Sequence, residues 1–460
     1  MVDQRHNIGS DLVGRFQRAT VIGLGMSGYS AVRYLRACGL AVSVFDSRDT
    51  PPLAAQLAEA FPEVDVRFGA FVDDCLDANT LIVASPGVSL QEPMLQSVRR
   101  QGAQIVGDVE LFLQANTKPV IAITGSNGKS TVTTLVGEMV AAGGLRPLVA
   151  GNIGVPVLDA ITDALEFDVA VLELSSFQLE TTYHVGAAAA AILNVSEDHM
   201  DRYASMGDYV LAKSRILKGA QRAVLPRHDE QLSQITQVAK LLSFELDEPA
   251  NEDEFGLKRQ HDGRWLMQGK KRLMKLGDIA LTGLHNVKNV LSAFALTDFL
   301  ALSLDARVRA VKAFVGFPHR MQTVAVHNRV TWVNDSKATN VGATSTALLS
   351  LEQPVIWIAG GQGKGADFST LADAITDNIQ LLVLIGVDGP KIEAALQGRV
   401  RMQRAADMSE AVALAAAAAE PGQVVLLSPA CASFDMYRGF EHRGAVFAEC
   451  VQDYIERGAA

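Results

Sequence analysis

Along this 460-residue chain, short apolar runs rich in β-branched residues alternate with longer stretches whose apolar positions follow a helical period. Kept up from end to end, that alternation predicts an α/β fold of parallel sheets flanked by helices. A first unit runs from a strand at Thr20–Leu24, through a helix near Tyr29–Ala37, to a strand at Ala41–Phe45, and a similar unit ends at Leu81–Val83. This block reads as Rossmann-like. A second block opens with the strand Val120–Ile123 and continues through Val169–Leu174 and Ala188–Val195. The segment Ala250–Lys275 is polar and broken by Gly256, Gly263 and Gly269, which suggests a small antiparallel addition inside the central domain, before a helix that follows His285. After Phe317-Pro318 come strands at Val330–Val333, Val355–Ala359, Leu381–Ile385 and Val424–Ser428, a second Rossmann-like block. Three domains are expected: residues 1–107, a central nucleotide-binding domain of mostly parallel sheet at 108–316, and residues 317–460.

Charge narrows the partners. With 41 basic and 51 acidic residues the net charge is −10, and no basic run is long enough to follow a nucleic-acid backbone. Nucleotides remain possible ligands, because loops and helix N-termini meet them locally. Cys38, Cys75, Cys431 and Cys450 form no Cys-x-x-Cys pair, which fits a reducing compartment. The charged N-terminus has no apolar core of signal-peptide length, and alanine runs such as Ala187–Ala191 fall far short of a membrane span. The expectation is a soluble, cytoplasmic, monomeric protein.

The sharpest chemical signal is Thr124-Gly125-Ser126-Asn127-Gly128-Lys129-Ser130-Thr131, set between the apolar strand and a helix-forming stretch, Val132 to Ala142. Glycines let backbone N–H groups turn inward around an anion, the helix adds its positive end, Lys129 reaches the outer phosphates and Ser130 meets Mg²⁺. Glycine spacing is irregular, since Ile123 stands where the common pattern has its first glycine. The loop is therefore a variant of the phosphate loop.

Two central strands end in acids. Glu173 interrupts an apolar run, a costly placement unless the carboxylate is paired or binds a cation, so it is a Mg²⁺ ligand or half of a structural ion pair. Asp198 and His199 follow Ile192-Leu193-Asn194-Val195, and His199 is either a ligand or a satisfied structural histidine. Near the start, Gly23-Leu24-Gly25-Met26-Ser27-Gly28 with Asp46 after the next strand matches a dinucleotide fingerprint. Alone, it indicates an NAD-dependent oxidoreductase. The phosphate loop argues for a ligase, with a nucleotide portion of the substrate in that crevice. In the last block, the strand ends carry Lys337, Thr339, Lys364 and Ser433, cations and hydroxyls suited to a carboxylate. Arg320, at the domain junction, offers a planar fork to phosphate or closes an interface by a salt bridge.

Five segments together resemble the Mur ligases: ITGSNGKSTVTTLVGEM from Ile123, LELSSFQLETT from Leu172, ILNVSEDHMDRY from Ile192, NDSKATNVG from Asn334 and LSPACASFDMYRGFEHRG from Leu427. The resemblance spans essentially the whole chain. It implies one domain for a UDP-sugar substrate, one for ATP, and one for the amino acid. The branch that the chain resembles most adds D-glutamate to UDP-N-acetylmuramoyl-L-alanine through an acyl phosphate, giving ADP and phosphate. The resemblance implies ATP contacts from Gly125, Ser126, Asn127, Gly128, Lys129, Ser130, Thr131, Asn286, Asn289, Arg320 and Asp335. It implies two Mg²⁺ ions, Mn²⁺ being an alternative, on Ser130, Glu173, His199 and a carbamylated Lys213. Unaided, Lys213 reads as a solvated helix lysine. The UDP substrate would meet Leu24, Met26, Ser27, Asp46, Ser47, Arg48, Ser85, Pro86, Gly87, Asn152, Ser175, Gln178 and His199. D-Glutamate would meet Lys337, Thr339, Lys364, Ser433, Phe434 and Phe440. Catalysis would rest on Lys129, Glu173, His199, Lys213 and Arg320, with closure of the third domain. The sequence departs from the family at Ser27 and Ser47, where threonine is usual, at Gln362, where an acid is, and in a long segment before Ala19. Sister ligases and folylpolyglutamate synthetase share the implied ATP site and are the alternatives.

Overall fold

The computed structural model describes residues 11–72, 76–196, 198, 200, 202–232, 238–281 and 283–459. Its contacts divide the chain into two compact units, one formed by Met1–Leu257, Met267–Leu273 and Leu291–Ala310, the other by Lys258–Leu266, Met274–Val290 and Val311–Ala460.

The first unit begins with a parallel sheet whose strands lie in the order Asp65–Phe68, Ala41–Asp46, Arg18–Ile22, Leu81–Ala84, Ile105–Val106. Strand order reverses at Arg18–Ile22, so a crevice opens at its carboxyl end, where the Gly23–Gly28 turn leads into the helix Met26–Ala37. Leu81–Ala84 is buried at every position, which explains why it reads as continuously apolar rather than alternating.

A second sheet carries Val120–Thr124 between Ala189–Ile192 and Val169–Glu173, all parallel. Pro147–Gly151 pairs beyond Val169–Glu173, and Ala223–Pro226 then Leu241–Phe244 pair beyond Ala189–Ile192. Register places Ile123 opposite Glu173 and Thr124 opposite Ile192, so both acid-bearing strand ends stand level with the phosphate loop. Ala189, Ala190 and Ala191 are fully buried between neighbouring strands, where pairing overrides alanine's preference for helix. The helix Lys129–Ala142 buries Val132, Leu135, Val136, Met139 and Val140, the i, i+3, i+4, i+7, i+8 set of one face. Each such side chain contributes about 1.5–3 kcal/mol of transfer free energy. Gly137 on the same helix is obligatory in size, since a Cβ there would lie 2.6 Å from Val149 Cγ2. The helix stops at Gly143-Gly144, with Gly144 at φ +88° and the Leu145 N–H returning to Val140 O at 3.2 Å.

The polar segment expected as a small addition inside the central domain forms three strands, Glu254–Gln260, Gly263–Gln268 and Lys271–Lys275, that extend this same sheet to nine strands among the described residues. Glu254–Gln260 joins it in parallel with Leu241–Phe244.

The second unit holds a sheet in the order Gln322–His327, Val330–Asn334, Val424–Leu427, Val355–Gly360, Ile379–Ile385, Met402–Arg404. Gln322–His327 is antiparallel and the other pairs are parallel. Sequence reading passed over that edge strand because its turn, Asn328-Arg329, lacks glycine. Both residues adopt positive φ, 51° and 63°, as a two-residue hairpin turn demands, and Gly422 N–H anchors Arg329 O at 2.8 Å. Trp332 and Trp357 fill the two faces of the sheet, and Trp357 Nε1 donates to Ser428 O at 2.7 Å.

Candidate active site

The phosphate loop is built from its neighbours. Gly128 caps the helix Lys129–Ala142 at φ +82°, a conformation that only glycine adopts cheaply. The segment after Ala189–Ile192 then pins the loop: Ser126 N–H donates to Asn194 O at 3.0 Å, and Asn127 N–H to Asn194 Oδ1 at 2.8 Å. Asn194 Nδ2 returns a bond to Asn127 O at 3.0 Å, and Ser126 Oγ donates to Ser196 O at 2.9 Å. Asn194 and Ser196 therefore shape the loop, roles that no local motif in the sequence announces.

Two ammonium groups converge on one carbonyl. Lys129 Nζ donates to Gly125 O and Ser126 O, and Lys213 Nζ donates to Gly125 O, each at 2.9 Å. Such clustering favours an anion close by. The reading of Lys213 as a solvated lysine is corrected here. Only 1% of it is exposed, because the helix Met206–Ser214 turns Tyr209, Ala212 and Lys213 inward, and Nζ sits 4.4 Å from the Tyr209 ring centroid. Burial, reinforced by the charge on Lys129 and opposed by Asp198, lowers its pKa to about 7. Near pH 7 this group is thus divided between its charged and neutral forms.

Glu173 ends its strand 1% exposed. Asn152 Nδ2 donates to Oε1 at 2.8 Å, while Oε2 is buried with no hydrogen-bond partner. A buried carboxylate oxygen left in this way costs about 1–3 kcal/mol, and a cation would satisfy it. Among the described residues no three of His, Cys, Asp and Glu gather into a ready-made metal cluster. A lone carboxylate oxygen beside a phosphate loop still suits Mg²⁺, which takes few protein ligands and completes its shell with phosphate and water. His199, the other expected ligand, lies outside the described residues.

A cleft of about 670 Å³ runs along the first unit, lined by Gly23, Met26, Ser27, Asp46, Ser47, Arg48, the Ser85–Val88 turn, Asn152 and Gln178 among others. Asp46 organises it from below: Oδ2 accepts from Leu24 N–H at 2.6 Å and Arg48 Nη2 at 2.6 Å, and Oδ1 from Arg48 N–H and Nε at 2.9 and 2.8 Å. Burial opposes its ionisation, but these donors outweigh burial and hold its pKa at about 2. Its oxygens thus fix the glycine turn and Arg48, which is half exposed. Ser85 Oγ closes the turn with a bond to Gly23 O at 2.7 Å, and a Cβ on Gly28 would lie 1.9 Å from that same oxygen. Leu24 itself is fully buried, so its part is played by its N–H. Ser175 and Gln178 form a capping box at the helix Ser176–Glu180. Arg202, not anticipated from sequence, holds the Ser85–Val88 turn through Pro86 O and Val88 O at 2.9 and 3.1 Å while pairing with Glu180.

The second unit presents its own polar site. Asn289 Nδ2 donates to Asn286 Oδ1 at 3.0 Å, one turn apart on the helix Leu284–Leu296. Asp335 is buried and accepts from Ser428 Oγ at 2.9 Å and Met321 N–H at 3.2 Å. Burial raises its pKa to about 7, against those two bonds and the charges of Arg320 and Arg443. Arg320 lies between His319 and Met321, both at positive φ, 63° and 44°. Lys364 and Ala430 share that strained conformation at 49° and 58°, so the rim collects backbone strain, as functional sites do. Two lysines sit over aromatic rings: Lys337 Nζ lies 3.7 Å from the Phe440 centroid and Lys364 Nζ 5.4 Å from that of Phe434. Phe434 is 64% exposed and Ser433 beside it is buried. Thr339 follows at the loop turn, its N–H donating to Lys337 O at 2.8 Å. The exposed Gln362 acts through its backbone, exchanging two 2.9 Å bonds with Ala432, so its departure from the family pattern leaves this pairing intact.

Comparison with known proteins bears on the whole chain. Family models match at residues 17–107 (Mur ligase MurD-like, N-terminal domain), 123–297 (Mur ligase middle domain) and 319–431 (Mur ligase, glutamate ligase domain). The UDP-N-acetylmuramoylalanine–D-glutamate ligase of Hahella chejuensis is 45% identical over 96% of this chain and 99% of its own. That of Methylobacillus flagellatus is 46% identical, over 95% and 97%. Among solved structures, a pseudomurein peptide ligase type C of Methanothermus fervidus aligns with a TM-score of 0.59 at 16% identity, covering 95% of this chain and all of that one. A UDP-N-acetylmuramate–alanine ligase of Thermotoga maritima aligns at 0.55 and 18%, covering 95% and 99%. At such identities these structures establish a shared fold.

Proposed function

The chain belongs to the Mur ligase family, and from that membership we infer its reaction: ATP-dependent ligation of D-glutamate to UDP-N-acetylmuramoyl-L-alanine in peptidoglycan synthesis. The observation that carries this reading is near-full-length identity of about 45% to ligases of that name, joined to an unsatisfied carboxylate oxygen on Glu173, whose strand pairs with the one that leads into a phosphate loop.

The L-alanine carboxylate attacks the γ-phosphorus of ATP, the bond to ADP breaks, and an acyl phosphate forms. The amine of D-glutamate then attacks the acyl carbon, phosphate leaves, and the nitrogen gives up a proton. Lys129 and Arg320 stabilise the charge that develops on the transferred group. Ser130, Glu173, His199 and Lys213 would hold Mg²⁺, two ions being expected and Mn²⁺ an alternative, and the metal would neutralise phosphate charge. Lys213 joins that set as a carbamate, formed when its neutral amine adds to carbon dioxide and loses a proton. Its burial beside Lys129 supports this, because it brings the pKa down to about 7, so that a share of the amine is uncharged near neutral pH. Gly125, Ser126, Asn127, Gly128 and Thr131 cradle the phosphates, with Asn286, Asn289 and Asp335 serving the rest of ATP. The 670 Å³ cleft takes the UDP-sugar. Lys337, Thr339, Lys364 and Ser433 hold the carboxylates of D-glutamate between Phe434 and Phe440. The enzyme works as a cytoplasmic monomer. No helix among the described residues is long and apolar enough to cross a membrane.

Phosphate release measured with purified enzyme should require UDP-N-acetylmuramoyl-L-alanine and D-glutamate together. Turnover of NADH without ATP, or equal release with any amino acid, would overturn the reading. Lys364→Ala should raise KM for D-glutamate by about tenfold while changing kcat little, as loss of a contact made equally in ground and transition states does. An unchanged KM would mean that the amino acid binds elsewhere.

A further inference from the structure

Arg443 lies on the helix Phe440–Ala459 and is fully buried. Its Nε donates to Ser336 Oγ at 2.9 Å, Nη2 to Ser336 O at 2.8 Å and Nη1 to Cys431 O at 3.0 Å. These acceptors are neutral oxygens. Burial lowers its pKa to about 10, so the guanidinium stays charged at neutral pH. Ser336 Oγ passes the chain on to Phe440 O at 2.9 Å, and Asn334 Nδ2 ties the same loop to Gly444 O at 2.8 Å. The Gly361 backbone packs close as well: a Cβ there would lie 2.3 Å from Ala432 O, 3.1 Å from Cys431 Cβ and 3.2 Å from Arg443 Nη1.

A cation taken fully out of water without a contacting carboxylate is expensive, and well-packed apolar side chains usually do as well or better for stability. What the guanidinium alone supplies is a rigid fork that reaches acceptors on two separate loops at once. Those loops, 334–340 and 428–435, carry Lys337, Thr339, Ser433 and Phe434, and the helix to which they are tied begins at Phe440. We propose that Arg443 is a positioning residue for the amino-acid substrate, clamping the 334–340 loop to the 428–435 loop and so setting the spacing of the groups that receive its carboxylates. This rests on the amino-acid pocket assigned above. A displacement of about 1 Å at such a site can cost on the order of 10²-fold, so the clamp need not touch substrate to matter.

The test uses the full-length enzyme with all three substrates. Arg443→Ala should raise KM for D-glutamate about tenfold or more and leave KM for the UDP-sugar within about twofold, with a smaller rise for ATP, because Asp335 lies on the same loop but is also held by Ser428 and Met321. Millimolar guanidinium ion should restore part of the loss by refilling the cavity. Arg443→Lys should resemble the alanine variant, because one ammonium cannot hold three acceptors in a plane. If Arg443→Ala does not fold, Ser336→Ala should show the same selective rise at about threefold or more, since it removes the bond from Arg443 Nε and the bond to Phe440 O. An unchanged KM for D-glutamate, or an equal rise in all three KM values with no response to guanidinium, would reduce Arg443 to a structural residue and sink the proposal. Lys364→Ala separates the two ideas: if it raises KM and Arg443→Ala does not, the clamp alone fails; if neither does, the pocket is misplaced and both fail.

Discussion

Lys129→Ala is expected to lower kcat by about 10²-fold or more while the protein stays folded. The loss falls on kcat because phosphoryl transfer offers the protein little covalent chemistry: what it contributes is position and charge against a transition state that spreads negative charge over the transferred group. Lys129 is placed for that role, anchored at the first residue of its helix with its ammonium held by Gly125 O and Ser126 O. Alanine is a good helix former at that position, and the loop keeps its separate ties to Asn194 and Ser196. Steady-state kinetics with ATP varied checks this. A kcat within about twofold of the parent enzyme would remove Lys129 from the reaction.

Glu173→Gln should act in two opposite directions. Activity falls by about 10²-fold or more, and the Mg²⁺ concentration for half-maximal rate rises about tenfold or more, because an amide presents N–H groups or one oxygen where a cation needs an anion. Thermal stability without nucleotide or metal rises, by about 1–3 kcal/mol, since the substitution removes a buried charge whose Oε2 has no partner while keeping an acceptor for Asn152. Stability gained at the expense of function is the mark of a strained site. A lowered melting temperature would instead assign Glu173 to a structural pair and falsify its metal role.

The same residue shows how far sequence reading reaches. An acid at the end of an apolar strand is visible in one dimension, but whether it is an ion pair or a ligand depends on what stands opposite. Register sets Glu173 level with Ile123, and its Oε2 has no hydrogen-bond partner among the described residues, which is a matter of tertiary structure. Lys213 shows the converse. A lysine near the end of a short helix carries no local mark of burial, and only packing of Tyr209 and Ala212 against the unit turns it inward to share a carbonyl with Lys129. Arg443 and Arg202 were missed for a related reason: arginine is ordinarily a surface residue, and its burial against carbonyl oxygens leaves no periodic trace.

The amino-acid sequence by itself determined the fold class, the central strands of the sheets, the phosphate-loop motif and the family. These follow from local causes: hydrophobic period, glycine at positions of special backbone geometry, and motifs whose spacing is fixed by the chemistry they serve. Tertiary structure alone decided which strand ends share an edge, which charges are buried and which oxygens are left for a ligand. Those are properties of residues far apart in the chain, set by register and packing, and no window along the sequence contains them.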